Sequence, residues 1–381
     1  MSACSECLYR AAVLRRLAPY IDRSVDNRAR SRARDLLANN CDELIRAVGG
    51  PHEPGDHTQM HEDAIAIEVE LESTGCWSFC AHSEANRASG YPAGLLEIGA
   101  AAPHALFGRG DMGMLDHLSP ERAVAIVGSR RSSAYGTGVA VDLARMLAEV
   151  GLTVVSGMAF GIDSAAHRGA VEAGGETLAV LAAGAERPYP RSRATLYRQI
   201  IESGAVISEL PPGSPTFRWM FPARNRIIAA LAGLTIVVEA AERSGSLITA
   251  DMAADFGRTV GAVPGPVNSS RSIGANRLLA QGAVVIRDAQ DALDALLGAG
   301  VAVASPAGPP VDPERLDVLA AVEAGAGCPD EVANACSLDP VAASMALTVL
   351  ELDGYLSARA GGSFARTNLA VPDRCRHDRL R

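Results

Sequence analysis

From residue 122 to residue 297 the apolar positions fall into short, almost unbroken runs, and each run is followed by a stretch of helical spacing. RAVAIVGSR (122–130), GLTVVSG (151–157), TLAVLAAG (177–184), GAVISEL (204–210), LTIVVEA (234–240), TVGAVPG (259–265) and AVVIRD (283–288) are too continuously apolar for strands with one wet face. Helical patterns separate them at 136–150, 161–174, 191–203, 246–257, 274–281 and 289–297, and another fills the gap before residue 234. Buried strands alternating with helices predict βα units, hence an α/β protein with a mainly parallel sheet covered on both faces. Ligands of such sheets sit at the carboxyl ends of the strands.

The flanks read differently. RAAVLRRLAPYID, ARSRARDLLANN and CDELIRAVGG set arginines against Leu and Val, which predicts a small helical N-terminal domain that ends in a polar linker, together residues 1–63. AIAIEVELES alternates Ile65, Ile67, Val69 and Leu71 with Glu68 and Glu70, and fits either an edge strand or a solvated helix. The sheet domain is expected over 64–298, followed by an Ala/Pro/Gly linker at 299–312. Three short helical patterns and the hairpin YLSARAGGSFART predict a winged-helix domain over 313–371, with a tail at 372–381.

Aromatics are only 4% of the 381 residues, so Ala, Val, Leu and Ile must build the core. The sequence has no apolar run of the roughly 18 residues a membrane span needs and no secretory leader pattern, so a cytoplasmic protein without membrane contact is expected. The eight cysteines are then expected as thiols. Cys4 and Cys7 form a CxxC, and Cys76, Cys80 and His82 a second loose group. Together they have the chemistry of a zinc site, but their spacing fits no strong pattern, and no metal or cofactor is assigned.

A net charge of −9 argues against nucleic acid until its distribution is considered. Residues 121–298 hold 17 Arg against 16 acids; seven acids crowd between Glu53 and Glu72. The chain has no lysine, so every fixed cation is a guanidinium, which forks onto phosphate and stacks on bases.

The strands of the central block end in turns rich in Gly, Ser and Arg: Gly128-Ser129-Arg130, Ser156-Gly157 through Gly161 to Asp163, and Arg243-Ser244-Gly245-Ser246. Glycines let amide N–H groups approach an anion, and helix N-termini add positive potential. One such turn is commonly just a tight connection; several beside arginines along one sheet edge make a track for successive phosphates. ERPYPRSRATLYRQI adds Arg187, Arg191, Arg193 and Arg198 with Tyr189 and Tyr197, and no acid from 187 to 201. FRWMFPARNR adds Phe217, Trp219 and Phe221, each equally at home in the core or under a base. A helix expected to start near Ala223 would direct Arg224, Asn225 and Arg226 past the sheet edge.

Enzyme classes fare poorly. The first turn lacks GxGxxG, a P-loop is impossible without lysine, and HExxH is absent. Asp163 and His167 with Ser156 form a conceivable triad, but an N-cap carboxylate and an ordinary helix histidine are the simpler assignment. No catalytic residue is assigned. The competing expectation is a nucleotide- or phosphoribosyl-processing enzyme using Asp163, Glu209 or Glu239; a pure scaffold is a third.

The ordered segments VAIVGSRRSSAYG, VVSGMAFGIDSAAHRGA, YPRSRATLYRQI, FPARNRIIAALA, VVEAAERSGSLITADMAADFGRTVGAVPG and SIGANRLLAQGA resemble the DNA processing protein A family (DprA/Smf), strongly over 90–298 and weakly over 313–367. The resemblance implies an extended Rossmann-like domain that binds single-stranded DNA, dimerises and loads the RecA recombinase, in natural transformation or recombination, without catalysis or metal. It places Gly128, Ser129, Arg130, Ser156, Gly157, Gly161, Ile162, Asp163, Arg224, Asn225, Arg226, Ser244, Gly245 and Ser246 along the DNA channel, with Arg191 and Arg243 at positions the family usually gives to a basic residue. Phe221 joins this set on the aromatic pattern of FRWMFPARNR. Ala230, where glycine is common, Gly261, where an aromatic is common, and the acidic stretch 53–72 depart from the family pattern. The last winged-helix helix (339–354) carries no arginine, so this domain is expected to contact protein rather than DNA.

Overall fold

All seven apolar runs are strands. The structure, a computed structural model, describes residues 3–24, 36–48, 56–82, 91–299, 308–359, 362–367, 369 and 371. In chain order the strands are β1 (Trp77–Phe79), β2 (Leu106–Gly110), β3 (Ala123–Val127), β4 (Thr153–Ser156), β5 (Thr177–Val180), β6 (Gly204–Ser208), β7 (Leu234–Val237), β8 (Thr259–Ala262) and β9 (Val284–Val285). They form one nine-stranded sheet in the order β1-β2-β6-β5-β4-β3-β7-β8-β9. Every pair from β6 across to β9 is parallel, whereas β2 runs antiparallel to both β1 and β6. The sequence reading lacks these two outer strands, since LFGRG carries two glycines and no period-two signal.

The core follows from the pleat. Ala123, Ala125 and Val127 of β3 share a cluster with Ile227, Ile228 and Leu231 of the helix Met220–Leu231. Helices Ala134–Glu149 and Ile162–Glu172 pack on each other and on β3 and β4. The chain steps outward from β3 through β4 and β5 to β6, then returns through Met220–Leu231 to β7 beside β3. Strand order therefore reverses between β3 and β7, which opens a crevice at their carboxyl ends.

The N-terminal helices Ser5–Ser24, Cys41–Val48 and Asp56–Thr74 belong to the same compact unit as the sheet, residues 1–302. Leu14, Leu17 and Leu44 share a core with Leu210, Trp219 and Met220, and the Trp219 indole N–H donates to the Ala18 carbonyl at 3.0 Å. The acidic stretch is helical from Asp56, inside the expected linker, and not a strand. Glu70 and Asp63 pair with Arg15 and Arg16 of the first helix at 2.5 and 3.4 Å. Most of ARSRARDLLANN lies outside the described residues.

Residues 303–381 form the second unit. Helices Pro313–Glu323, Pro329–Cys336 and Pro340–Leu352 precede a hairpin of β10 (Leu356–Arg359) and β11 (Ser363–Arg366), the expected winged helix. Its third helix shows solvent the apolar side chains of Val341, Met345 and Leu352. Among the described residues no single helix is long and apolar enough to cross a membrane.

Candidate nucleic-acid interface

The crevice at the reversal point is built from turns that hold one another in place. After β3, the Ser129 N–H donates to the Glu239 carbonyl beyond β7 at 2.7 Å. The Ser129 carbonyl accepts from Ile162 N–H, the first residue of its helix, at 3.2 Å. Gly161 makes this approach possible: its φ is +78°, and a Cβ there would collide with the Ser129 carbonyl oxygen. The third turn is closed by Ser244, which caps the helix Gly245–Asp255 and accepts from Ser246 N–H at 3.4 Å. Asn225 donates its side-chain amide to the Gly245 carbonyl at 3.3 Å. Three strand tips thus become one rigid rim.

Arg224 forms the floor. Its guanidinium fills the space a Cβ at residue 157 would need, which explains the glycine. Nη1 donates to the Val180 carbonyl at 2.6 Å, and Nε is buried without a partner. Burial lowers its pKa to about 10, against the pull of Asp163, so it remains a cation at neutral pH. Burial raises the Asp163 carboxyl, opposed by Arg224. Among the described residues no carboxylate is in salt-bridge contact with Arg224; the cation sits at the bottom of an open cleft with its charge only partly answered.

The cleft has a volume of about 960 Å³. Five arginines line it (Arg130, Arg131, Arg218, Arg224 and Arg271) against two carboxylates, Asp22 and Asp163, so its potential is positive in an acidic chain. Phe221 presents a ring to the same space, with the Arg130 guanidinium 5.2 Å from its centroid and Tyr189 tilted beside it at 5.4 Å. Next to the cleft lies a concavity of about 560 Å³ that shares Arg130 and Arg131 and adds Arg168 and Arg193. There Arg193 stands over the Phe160 ring at 5.1 Å. Arginine beside an aromatic face recurs along the path, as stacked bases and spaced phosphates require.

Of the residues expected along the channel, Gly128, Ser129, Arg130, Asp163, Phe221, Arg224, Asn225, Ser244, Gly245 and Ser246 line the cleft, and Gly161 lines the adjoining concavity. Gly157 lies behind Arg224.

Arg226 does not belong with them. It is 0% exposed, pairs with Glu209 at 2.6 Å, and donates to the carbonyls of Ala101 (2.8 Å) and Ala223 (3.0 Å). Two residues along a helix turn a side chain by about 200°, so Arg224 and Arg226 leave on opposite sides. Their helix starts at Met220 rather than Ala223, with Pro222 accommodated in its first turn. Ser156 is also internal, its hydroxyl donating to the Ile126 carbonyl at 2.6 Å. Arg191 and Arg243 are exposed but line neither concavity.

Tyr197 is core, donating to the Ala185 carbonyl at 2.5 Å. Of the arginines in ERPYPRSRATLYRQI, Arg193 lines the second concavity, whereas Arg187, Arg191 and Arg198 line neither. Arg131, Arg218, Arg271 and Phe160 line these concavities without being among the residues expected along the channel, although GSRR and FRWM contain the first two. The acids of the enzymatic alternative are dispersed: Glu209 is held by Arg226, and Glu239 accepts from the Ser133 N–H (2.8 Å) and hydroxyl (2.6 Å).

His167 is a buried helix residue, its Nδ1 2.7 Å from the Thr177 hydroxyl. Burial lowers its pKa to about 3. The unfolded chain takes up a proton near pH 6.5 that the native state refuses. Stability from this group is therefore full above that pH and falls, by about 1.4 kcal/mol per unit, toward pH 3. Urea titrations from pH 7 to pH 4 should show this loss, and His167→Gln should flatten the profile by one proton; an unchanged slope would disprove the assignment.

Residues 85–297 match the sequence profile described as DNA recombination-mediator protein A, and residues 302–362 match the DprA winged helix domain. The chain belongs to the DNA recombination-mediator protein A family. A DNA processing protein DprA of Mycobacterium tuberculosis is 42% identical over 256 residues, 65% of this chain and 65% of that relative. The DprA of Streptococcus pneumoniae is 42% identical over 203 residues, 53% of this chain and 70% of its own length. The chain thus spans just under two thirds of the mycobacterial relative. The X-ray structure of Streptococcus pneumoniae DprA superposes with a TM-score of 0.56 at 31% identity, covering 77% of this chain and 98% of that one. The cleft lies within the segment matched to the recombination-mediator profile, apart from Asp22.

Proposed function

We propose that this recombination mediator holds single-stranded DNA, without catalysis, in the cleft at the β3–β7 reversal. The proposal includes assembly as a homodimer in the cytoplasm and delivery of the bound strand to the RecA recombinase, in natural transformation or in recombination. The observation that carries it is Arg224: a buried cation at the floor of an arginine-lined cleft, lacking a carboxylate partner among the described residues. A phosphate supplies the missing charge, and the rim amides and hydroxyls supply further donors. Phe221 and Phe160 offer faces to bases in any sequence.

The test is binding to single- and double-stranded oligonucleotides across a salt series. Four or five neutralised phosphates on a single strand give a log–log slope of about −3 to −3.5, with a clear preference for the single strand and little dependence on base. A flat salt response would sink the reading. Nucleoside phosphates incubated with the purified protein are expected to stay intact; turnover would favour the enzymatic alternative.

The winged helix contributes little to this affinity on the same reasoning. Its third helix presents Val341, Met345 and Leu352 to solvent and has no arginine for phosphate or base edges. Removing residues 305–381 should change the dissociation constant for single-stranded DNA by no more than a few-fold, measured by fluorescence anisotropy.

A further inference from the structure

Away from the cleft, three thiols and an imidazole that are remote in sequence meet where the first helix joins the sheet. Cys4 precedes the helix Ser5–Ser24, Cys7 lies in its first turn, and Cys80 directly follows β1. The sulfur atoms of Cys4, Cys7 and Cys80 all lie within 4.8 Å of one another. Nδ1 of His82 is 3.1 Å from the Cys7 sulfur. The Cys4 backbone N–H donates to the Cys80 sulfur at 3.3 Å. The neighbouring Ala3 N–H donates to the Ser78 hydroxyl at 2.9 Å, so residues 3 and 4 are tied to β1 and to the residue that follows it. Cys7 and Cys80 are buried, within a cluster that includes Leu8, Ala11, Ala105 and Phe107.

A disulfide can join only two of these three cysteines, and none of the three is in one. A tetrahedral zinc ion accounts for all of them. Zinc–sulfur bonds of about 2.3 Å put adjacent sulfurs about 3.8 Å apart, so the observed cluster needs only a small contraction. Three soft sulfurs and one imidazole select zinc over magnesium or calcium. An amide N–H aimed at a ligating sulfur is the outer-shell contact that offsets thiolate charge. Four protein donors leave no open position, which is the pattern of a structural rather than a catalytic ion.

We propose that Cys4, Cys7, Cys80 and His82 form a structural zinc site that staples the N-terminal helix to the outer edge of the sheet. Binding releases the protons of three thiols and leaves a centre of net charge −1: one dication, three thiolates and a neutral imidazole. This revises the expectation of no metal. The CxxC and the Cys80–His82 pair are each visible in the sequence, but the gap from Cys7 to Cys80 hides that they form one site. Cys76, grouped with them by sequence, is not part of the cluster.

The test uses the full-length chain, purified without chelator and with any metal-binding tag removed. Elemental analysis should find about one zinc per chain, falling to about a tenth or less in Cys7→Ser and Cys80→Ser and unchanged in Cys336→Ser in the second unit. Because a ligand variant can simply misfold, the wild-type protein supplies a second reading. Exchange of its metal for cobalt(II) should give the intense visible bands of a tetrahedral centre and a near-ultraviolet thiolate-to-cobalt transition. Folded wild-type protein that carries about a tenth of an equivalent or less and gives no such spectrum would overturn the proposal. So would a disulfide among Cys4, Cys7 and Cys80 in the protein as isolated, found by peptide mass.

Discussion

Arg226→Ala should lower the stability of the protein by about 3–5 kcal/mol, the cost of breaking a buried ion pair from one side. The substitution removes the 2.6 Å bond to Glu209 and two bonds to backbone carbonyls, and strands a largely buried carboxylate. The effect belongs to folding and not to DNA. Replacing both partners with apolar residues, Arg226→Met with Glu209→Leu, should recover most of the loss, because no unpaired charge remains. Urea denaturation of the two single variants and the double variant measures this directly. A stable Arg226→Ala protein that has lost its affinity for single-stranded DNA would show instead that this side chain reaches the strand.

The second large effect lies on the cleft wall. Arg130, Arg218 and Arg271 are exposed, and none makes a salt bridge among the described residues, so their loss should cost the fold little. On the proposed binding mode, changing all three to alanine should weaken single-strand binding about a hundred- to a thousand-fold at low salt, at about 1–1.4 kcal/mol for each exposed contact. The salt slope should become shallower by about 2, at about 0.7 per phosphate on a single strand. The two readings separate causes: a misfolded variant loses affinity at every salt concentration, whereas a variant that has lost only charges converges with the wild type as salt rises. Arg224→Ala is the less clean experiment, because it also removes the buried charge that opposes the upward push of burial on Asp163. An unchanged slope in the triple variant would place the phosphates elsewhere.

The comparison between sequence and structure turns on which facts are local. Continuous Val/Ile runs give β3 to β9, and a Gly/Ser/Arg turn after a strand already marks the rim of the cleft, because both features are set by neighbours in the chain. Arg224 and Arg226 look equivalent in FPARNR. Only the rotation of the helix, and a carboxylate at Glu209 brought up by a different strand, decide that one faces the open cleft and the other the core. Trp219 and Tyr197 are similar: an aromatic between arginines is legible, but the carbonyl that claims its polar atom, Ala18 or Ala185, is a tertiary fact. The acidic stretch defeats pattern reading for another reason. Met60, Ala64, Ile67 and Leu71 are buried at helical spacing, but Ile65 and Val69 stand exposed among them, so the apolar positions read as strand alternation as readily as a helix. Arg271 sits in a loop without a pattern and reaches the cleft only because the chain folds back after β8.

The glycine behind Arg224 has a consequence for how this protein can vary. Positions 157 and 224 claim one volume, so any side chain gained at the first must be answered by a smaller one at the second. A randomised library at residue 157 screened for folding should return little but glycine while arginine stays in place, and should open to larger residues only once position 224 shrinks. The two sites, 67 residues apart in sequence, then drift as a pair, and the cation on the cleft floor is what the pair forfeits if it moves.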